Sequence, residues 1–274
     1  VTSRLPHVGT TIFTVMSALA TQCGAVNLGQ GFPDFDGDPR LMQAVKNALD
    51  AGHNQYPPMT GIPALREAIA AKVEALYGHR YDPSTEVTVT AGATQAIITA
   101  VLALVHPGDE VIVLDPCYDS YEPSIVLAGA TAVHVPLTAG TFRPDFAAIA
   151  AAITPKTRAV LVNTPHNPTG TVWTAAEQQQ LADLLRPTEI LLLSDEVYEH
   201  MVYDGAAHLT SIGVHARRHV DCHRARHGVE LEHERAWRDP RRRGDGSSWR
   251  LRCIRRHLRL IAGDGGNHGA GRAA

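Results

Sequence analysis

Lysine is nearly absent from this 274-residue chain: Lys46, Lys72 and Lys156 are the only three, and none follows Lys156. Any chemistry that needs a lysine amine in the C-terminal part is therefore excluded. Cysteine is also scarce. Cys23, Cys117, Cys222 and Cys253 are scattered and form no C-x-x-C pair, so reduced thiols in a cytoplasmic protein are the expected state. No apolar run reaches the roughly 18 or more residues that a membrane-spanning helix needs. Val1 to Thr11 lacks a basic cluster followed by an apolar core, so a secretory signal is not expected. No internal repeat is present.

The apolar content, 44%, suits a soluble globular protein that buries most of its unfolded surface. The charge is unevenly distributed. Residues 1–210 carry 10 Lys+Arg against 21 Asp+Glu, whereas residues 211–274 carry 15 Arg, no Lys and 7 Asp+Glu. The second stretch also holds 7 of the 15 histidines. A break of this kind separates regions of different origin or different task. The arginines could contact phosphate backbones, yet no nucleic-acid fold accompanies them and the acidic body opposes binding. His215, His219, Cys222, His223 and His227 could converge on a metal if helical. Chance in a His- and Arg-rich stretch explains them better, so no metal site is expected there.

Along the chain, Ile12 to Ala20 reads as a short helix, and Gly24 to Gly29 as a strand leading to a turn at Gly31-Phe32-Pro33-Asp34. Leu41, Val45, Ala48 and Leu49 fall on one face of a helix over 40–51. Pro63 opens a helix through Tyr77 with Leu65, Ile69, Val73 and Leu76 as its stripe, proline being suited to the first turn. From residue 86 strands and helices alternate. Strands are expected at 86–90, 110–114, 132–136, 159–162 and 190–193, and helices at 94–105, 125–128, 144–153 and 175–185. Short, continuously apolar strands between helices specify a mostly parallel sheet covered on both faces. Ligands bind such sheets beyond the carboxyl ends of the strands, where the polar motifs at 92–95, 115–121, 163–170 and 195–198 all fall. After Ile212 the periodicity dissolves, and an irregular tail is expected.

Several residues in these motifs carry chemistry. Gly92-Ala93-Thr94-Gln95 joins a strand to a helix, and such a turn is either an ordinary connection or a cradle for an anion at free N–H groups. Asp195 ends an apolar strand, where an unpaired carboxylate would be costly. It either caps the next turn or meets a cation such as a protonated pyridine nitrogen. Tyr198, three residues on, shares its side of a helical turn. Asn167 precedes Pro168 and either bonds its own backbone or a ligand oxygen. Tyr118 either packs in its loop or offers its ring face to a heteroaromatic ring.

In chain order these motifs are Asn27 to Asp34, Asn54-Gln55-Tyr56 with Gly61 and Leu65-Arg66, Gly92-Ala93-Thr94, Asp115-Pro116 with Tyr118, Asn163 to Gly170, and Ser194 to Tyr198. Together they resemble the class I/II aminotransferases that depend on pyridoxal 5'-phosphate (PLP) and have fold type I, in particular the kynurenine, methionine and N-succinyldiaminopimelate branch. The resemblance spans about residues 5–212 and implies an N-terminal segment (1–30), a partial PLP-binding large domain of α/β class (31–212) and a tail outside the family pattern (213–274). It implies that Ala93 and Thr94 hold the cofactor phosphate and that Tyr118 stacks on the ring. Asn167 and Tyr198 would bond the phenolic oxygen, and Asp195 would pair with the ring nitrogen. Tyr56 would reach the phosphate of a neighbouring subunit in a homodimer, and Gly31 with Asn167 would border the substrate. The implied activity passes an amino group from an amino acid to a 2-oxo acid. A cysteine-conjugate β-lyase, or a PLP-binding protein without catalysis, would use the same grip.

The chain departs from this pattern after Ile212. The family continues into a Ser-x-x-Lys motif, whose lysine holds the cofactor as a Schiff base, and then a Thr-Gly-Trp motif. Neither is present, and Trp237 and Trp249 lack the Thr-Gly neighbours. A stretch rich in Arg, Gly, Ala and His without Lys is what an out-of-frame reading of a GC-rich coding sequence yields. The expectation is a chain that keeps the cofactor grip but is inactive.

Overall fold

The computed structural model describes residues 2–6, 8–31, 35–211, 219–224 and 260–263. Three helices come first: α1 (Ile12–Cys23), α2 (Pro39–Asp50) and α3 (Pro63–Tyr77). A β/α alternation follows: β1 (Thr88–Ala91), α4 (Ala93–Leu104), β2 (Glu110–Asp115), α5 (Tyr121–Leu127), β3 (Thr131–Pro136) and α6 (Phe146–Ala152). It continues with β4 (Thr157–Asn163), α7 (Ala175–Leu185), β5 (Leu191–Asp195), β6 (His219–Arg224) and β7 (Leu260–Gly263). Every strand pairing is parallel, in the order β1-β7-β6-β5-β4-β2-β3.

Local chemistry sets the helix ends. Pro63 occupies the first turn of α3, and Gly78 ends it in the left-handed conformation, φ 68°, where a Cβ would be strained. Asp145 caps α6 by accepting from the Ala147 and Ala148 N–H groups. Thr174 and Glu177 form a reciprocal capping box on α7. Alternate residues of the central strands feed two opposite cores. Val111, Val113, Leu161, Leu193 and Val220 pack with Ile97, Val101, Tyr121 and Ile125 of α4 and α5. Ile112, Val160, Val162 and Leu192 pack with Ile149, Trp173, Leu181 and Leu185 on the other face. Each fully buried aliphatic side chain stabilises by about 1.5–3 kcal/mol, so these two layers outweigh every surface ion pair.

Two expectations need correction. Gly24 to Gly29 forms no strand: Gly24 is the left-handed cap of α1, φ 59°, and Val26 and Leu28 stand 82% and 90% exposed. An isolated apolar run without a neighbour to complete its ladder does not become a strand. Conversely, the region after Ile212 supplies β6 and β7, which fill the sheet between β5 and β1. Ladder bonds come from the backbone alone, so a segment without an alternating pattern can occupy that gap. The turn at 32–34 and the remainder of the tail lie outside the described residues.

Candidate active site

The carboxyl ends of the parallel strands share one edge of the sheet, and the polar motifs gather there. Asn163 and Asp195, the last residues of β4 and β5, stand side by side in register. The Asn163 side chain locks the two strand ends together: its Nδ2 donates to the Asp195 carbonyl at 2.8 Å, and its Oδ1 accepts from the Asn167 N–H at 2.6 Å. The Thr164 N–H also donates to the Asp195 carbonyl, at 3.1 Å. The 163–171 turn is closed internally by His166 N–H to Thr171 and Gly170 N–H to His166. Burial pushes the His166 imidazole below its ordinary pKa, and its Nδ1 lies 2.7 Å from the Thr169 hydroxyl.

This scaffold aims Asn167 at Tyr198. The Asn167 amide donates to the Tyr198 hydroxyl at 3.5 Å, and Tyr198 lies in the helical turn after β5, where the Met201 N–H returns to its carbonyl. Asp195 is 5% exposed. Its Oδ2 accepts from the Tyr121 hydroxyl at 2.7 Å and its Oδ1 from the Val197 N–H at 3.3 Å. Tyr118 is half-buried and meets the Tyr121 ring edge-on at 5.8 Å. Gly92 (φ 89°, ψ 162°) precedes α4 with no side chain capping it. The N–H groups that open this helix have no intrahelical acceptor, and the space where a Gly92 Cβ would stand is open. Ala93 is half-buried and Thr94 lies at the same helix end.

The fold thus brings together Tyr118, Asn167, Asp195 and Tyr198, while Ala93 and Thr94 open α4 after β1 on the same carboxyl edge of the sheet. It does not bring Tyr56 or Gly31 to them: Tyr56 is 101% exposed and Gly31 is exposed in open space. One of the three lysines, Lys72, reaches the residue that follows Tyr198. Lys46 is exposed on α2, Lys156 is exposed just before β4 at the opposite sheet edge, and Lys72 pairs with buried Glu199.

Three features were missed from the sequence. Tyr121 bridges to Asp195 across 74 residues; its spacing of three from Tyr118 on a helix start was the available signal. The second is the fully buried Glu196, which accepts from Ser194, from both the N–H and hydroxyl of Ser211, and from the His208 Nε2. This fastens the 208–211 segment beneath the site. The third is a group at the end of β2. Burial, with Asp115 next in effect, pushes the Cys117 thiol up to about 12. Without a bound metal ion this disfavours the thiolate, whereas coordination to a metal would deprotonate the thiol.

A buried acid, a phenol–amide pair and a glycine-led helix start, all at the carboxyl edge of a parallel sheet, define a PLP-dependent transferase of fold type I. The chain belongs to the aminotransferases of class I and II, whose family model matches residues 24–229. It is 52% identical over 213 residues to a probable N-succinyldiaminopimelate aminotransferase of Mycobacterium tuberculosis, covering 77% of this chain and 54% of that one. It is 51% identical over 206 residues to a methionine aminotransferase of Escherichia coli, covering 75% and 53%. The solved structure of N-succinyldiaminopimelate aminotransferase from M. tuberculosis superposes with a TM-score of 0.78 at 50% identity, covering 81% of this chain and 59% of that chain. The chain spans about half the length of the curated relatives it matches.

The family implies PLP as cofactor, and the donor set fits it. Asp195 is a buried carboxylate at the sheet edge, the kind of group that a protonated ring nitrogen would pair with. The donors Asn167 and Tyr198 suit an anionic phenolic oxygen, and a helix N-terminus suits a phosphate.

Proposed function

We propose that this chain is the cofactor-gripping part of an amino-acid aminotransferase, and that it binds PLP without turning over substrate. The observation that carries the reading is the convergence of Asn167 on Tyr198 beside buried Asp195. Asp195 would keep a proton on the pyridine nitrogen, Asn167 and Tyr198 would donate to the phenolic oxygen, and Tyr118 would cover one ring face. Ala93 and Thr94 would bind the phosphate through backbone N–H groups and the threonine hydroxyl. When bound, the cofactor supplies an electron sink that stabilises negative charge at the substrate's α-carbon. The family's substrates would be an amino acid and a 2-oxo acid, with Gly31 and Asn167 bordering them.

What this chain lacks is a base. No lysine follows Lys156, so nothing at the family's lysine position can hold the cofactor covalently or move a proton at the α-carbon. The composition of residues 213–274 supports the proposal that this stretch is read out of the family's frame, and the intact counterpart would be an ordinary cytoplasmic aminotransferase. The full exposure of Tyr56 supports a homodimer, in which that ring would serve the neighbouring subunit's cofactor.

The test adds PLP to the purified chain, then dialyses it and assays transamination. Expected are a bound chromophore that dialysis removes, no adduct fixed to a lysine by borohydride, and no turnover with amino acid and 2-oxo acid. Measured transamination would overturn the inactive reading; failure to bind PLP would overturn the grip. Sequencing the gene across codons 205–230 and translating all frames tests the tail. A frame that restores Ser-x-x-Lys and Thr-Gly-Trp supports the shift, and its absence sinks it.

A further inference from the structure

The sequence pattern points to no metal site, yet the fold assembles a set of three unlike ligands at the sheet edge. Asp115 ends β2, Cys117 follows two residues later, and His134 lies on β3, the outermost strand. Because Val113 is the register partner of His134, and Val113 and Asp115 share a face of β2, the imidazole and the carboxylate point to the same side. The His134 Nδ1 is 2.9 Å from one Asp115 oxygen and 3.0 Å from the other. One ligand atom each from Asp115, Cys117 and His134 lies within 4.8 Å of the others. Glu122, at the start of α5, places Oε2 4.0 Å from the His134 Nε2. Asp115 and Cys117 are half-buried and His134 is exposed, so the group is open to solvent on one side.

We infer that Asp115, Cys117 and His134 form a binding site for a thiophilic divalent cation of the zinc type, with water completing four-coordination. The ligand chemistry selects the ion. A sulfur and an imidazole nitrogen disfavour magnesium and calcium, which take oxygen ligands, and favour zinc. The geometry is close to what is required. Zinc bonds of about 2.0–2.3 Å place tetrahedral ligand atoms roughly 3.3–3.7 Å apart, so the Asp115–His134 pair would open slightly, and the set, already within 4.8 Å, needs only small side-chain adjustments. The turn between Cys117 and Tyr121 carries Tyr118 and Tyr121, the two rings that lead to Asp195. An ion tied across β2, β3 and this turn would therefore brace that side of the candidate active site.

The experiment uses the full untagged chain, freed of metal by chelation and titrated with zinc, and with cobalt(II) as a spectroscopic probe. One ion per chain is expected, with a thiolate-to-cobalt charge-transfer band and the intense visible bands of a tetrahedral ion. Cys117→Ser should abolish the charge-transfer band, and His134→Gln should weaken zinc binding at least tenfold. Cys222→Ser and His223→Gln should leave the spectrum unchanged, which separates this site from the cysteine and histidines of the tail. Circular dichroism of the metal-free variants confirms that they fold as the parent does, and zinc should raise the melting temperature of the parent but not of Cys117→Ser. Absence of the thiolate band, or its loss with Cys222→Ser and not with Cys117→Ser, overturns the assignment.

Discussion

At the scale of single residues, the site turns on a carboxylate removed from water. Asp195 accepts hydrogen bonds from Tyr121 and Val197, which fix its direction before any cofactor arrives. Asp195→Ala should lower PLP affinity by about 10- to 100-fold, the worth of a hydrogen bond to a charged group at roughly 1.5–3 kcal/mol. Fluorescence titration with PLP measures this, and unchanged affinity would remove Asp195 from the grip. Glu177 offers a pH test. Burial alone would raise its pKa, but the Thr174 N–H and hydroxyl and then the Arg143 guanidinium outweigh burial and hold it below its ordinary value. A carboxylate depressed in the folded state stabilises fully above its unfolded pKa of about 4.3 and loses that contribution as pH falls through the folded value. Glu177→Gln should therefore cost stability at neutral pH, and the gap from the parent should close below about pH 4 in urea denaturation series. A gap that persists in acid would assign the effect to packing. Asp195 was legible in the sequence because an apolar strand ended in an acid. The Tyr121 bridge was not, since only the fold brings residues 121 and 195 together.

At the scale of elements, periodicity located most of the helices and strands, and with them the sheet edge where the site lies. Helix α3 is a case in point: a proline start, a single apolar stripe and a terminal glycine agree, and its ends fall at Pro63 and Tyr77. The helix expected at 125–128 extends further towards the N-terminus as α5 (Tyr121–Leu127), because Tyr121 and Ile125 bury together against the sheet. Burial of this sort depends on the facing element and leaves little trace in a short window. The same limit hid the approach of α3's leading turn to β1. Gly61 has φ 92°, and a Cβ there would lie 2.6 Å from Val89 Cγ2. Gly61→Ala therefore combines a disfavoured backbone conformation with a clash, and should destabilise by about 1–3 kcal/mol. Thermal melting checks it; a neutral result would mean that the loop before α3 can move away from β1.

At the scale of the whole molecule, the two strands without a sequence signal decide whether the sheet is one piece. Among the described residues, the strand pairing that ties β1 to the sheet runs through β7, then β6, then β5. Val220 on β6 is the register partner of Leu193 and is 5% exposed within the core that also holds Ile97 and Val113. The basic stretch that fits the family least by composition thus supplies the seam between β1 and the strand that carries Asp195. Placing a carboxylate in that seam tests whether the seam stabilises the fold. Val220→Asp would bury a charge without a designed partner, a change that costs at least about 3 kcal/mol unless the site opens to water. The expected result is loss of cooperative unfolding, or a melting temperature lower by roughly ten degrees or more for a chain of this size, together with loss of PLP binding because Asp195 lies two residues beyond the affected pair. If Val220→Asp melts and binds PLP as the parent does, β6 adds nothing to stability, and residues up to Ser211 must hold the cofactor grip by themselves.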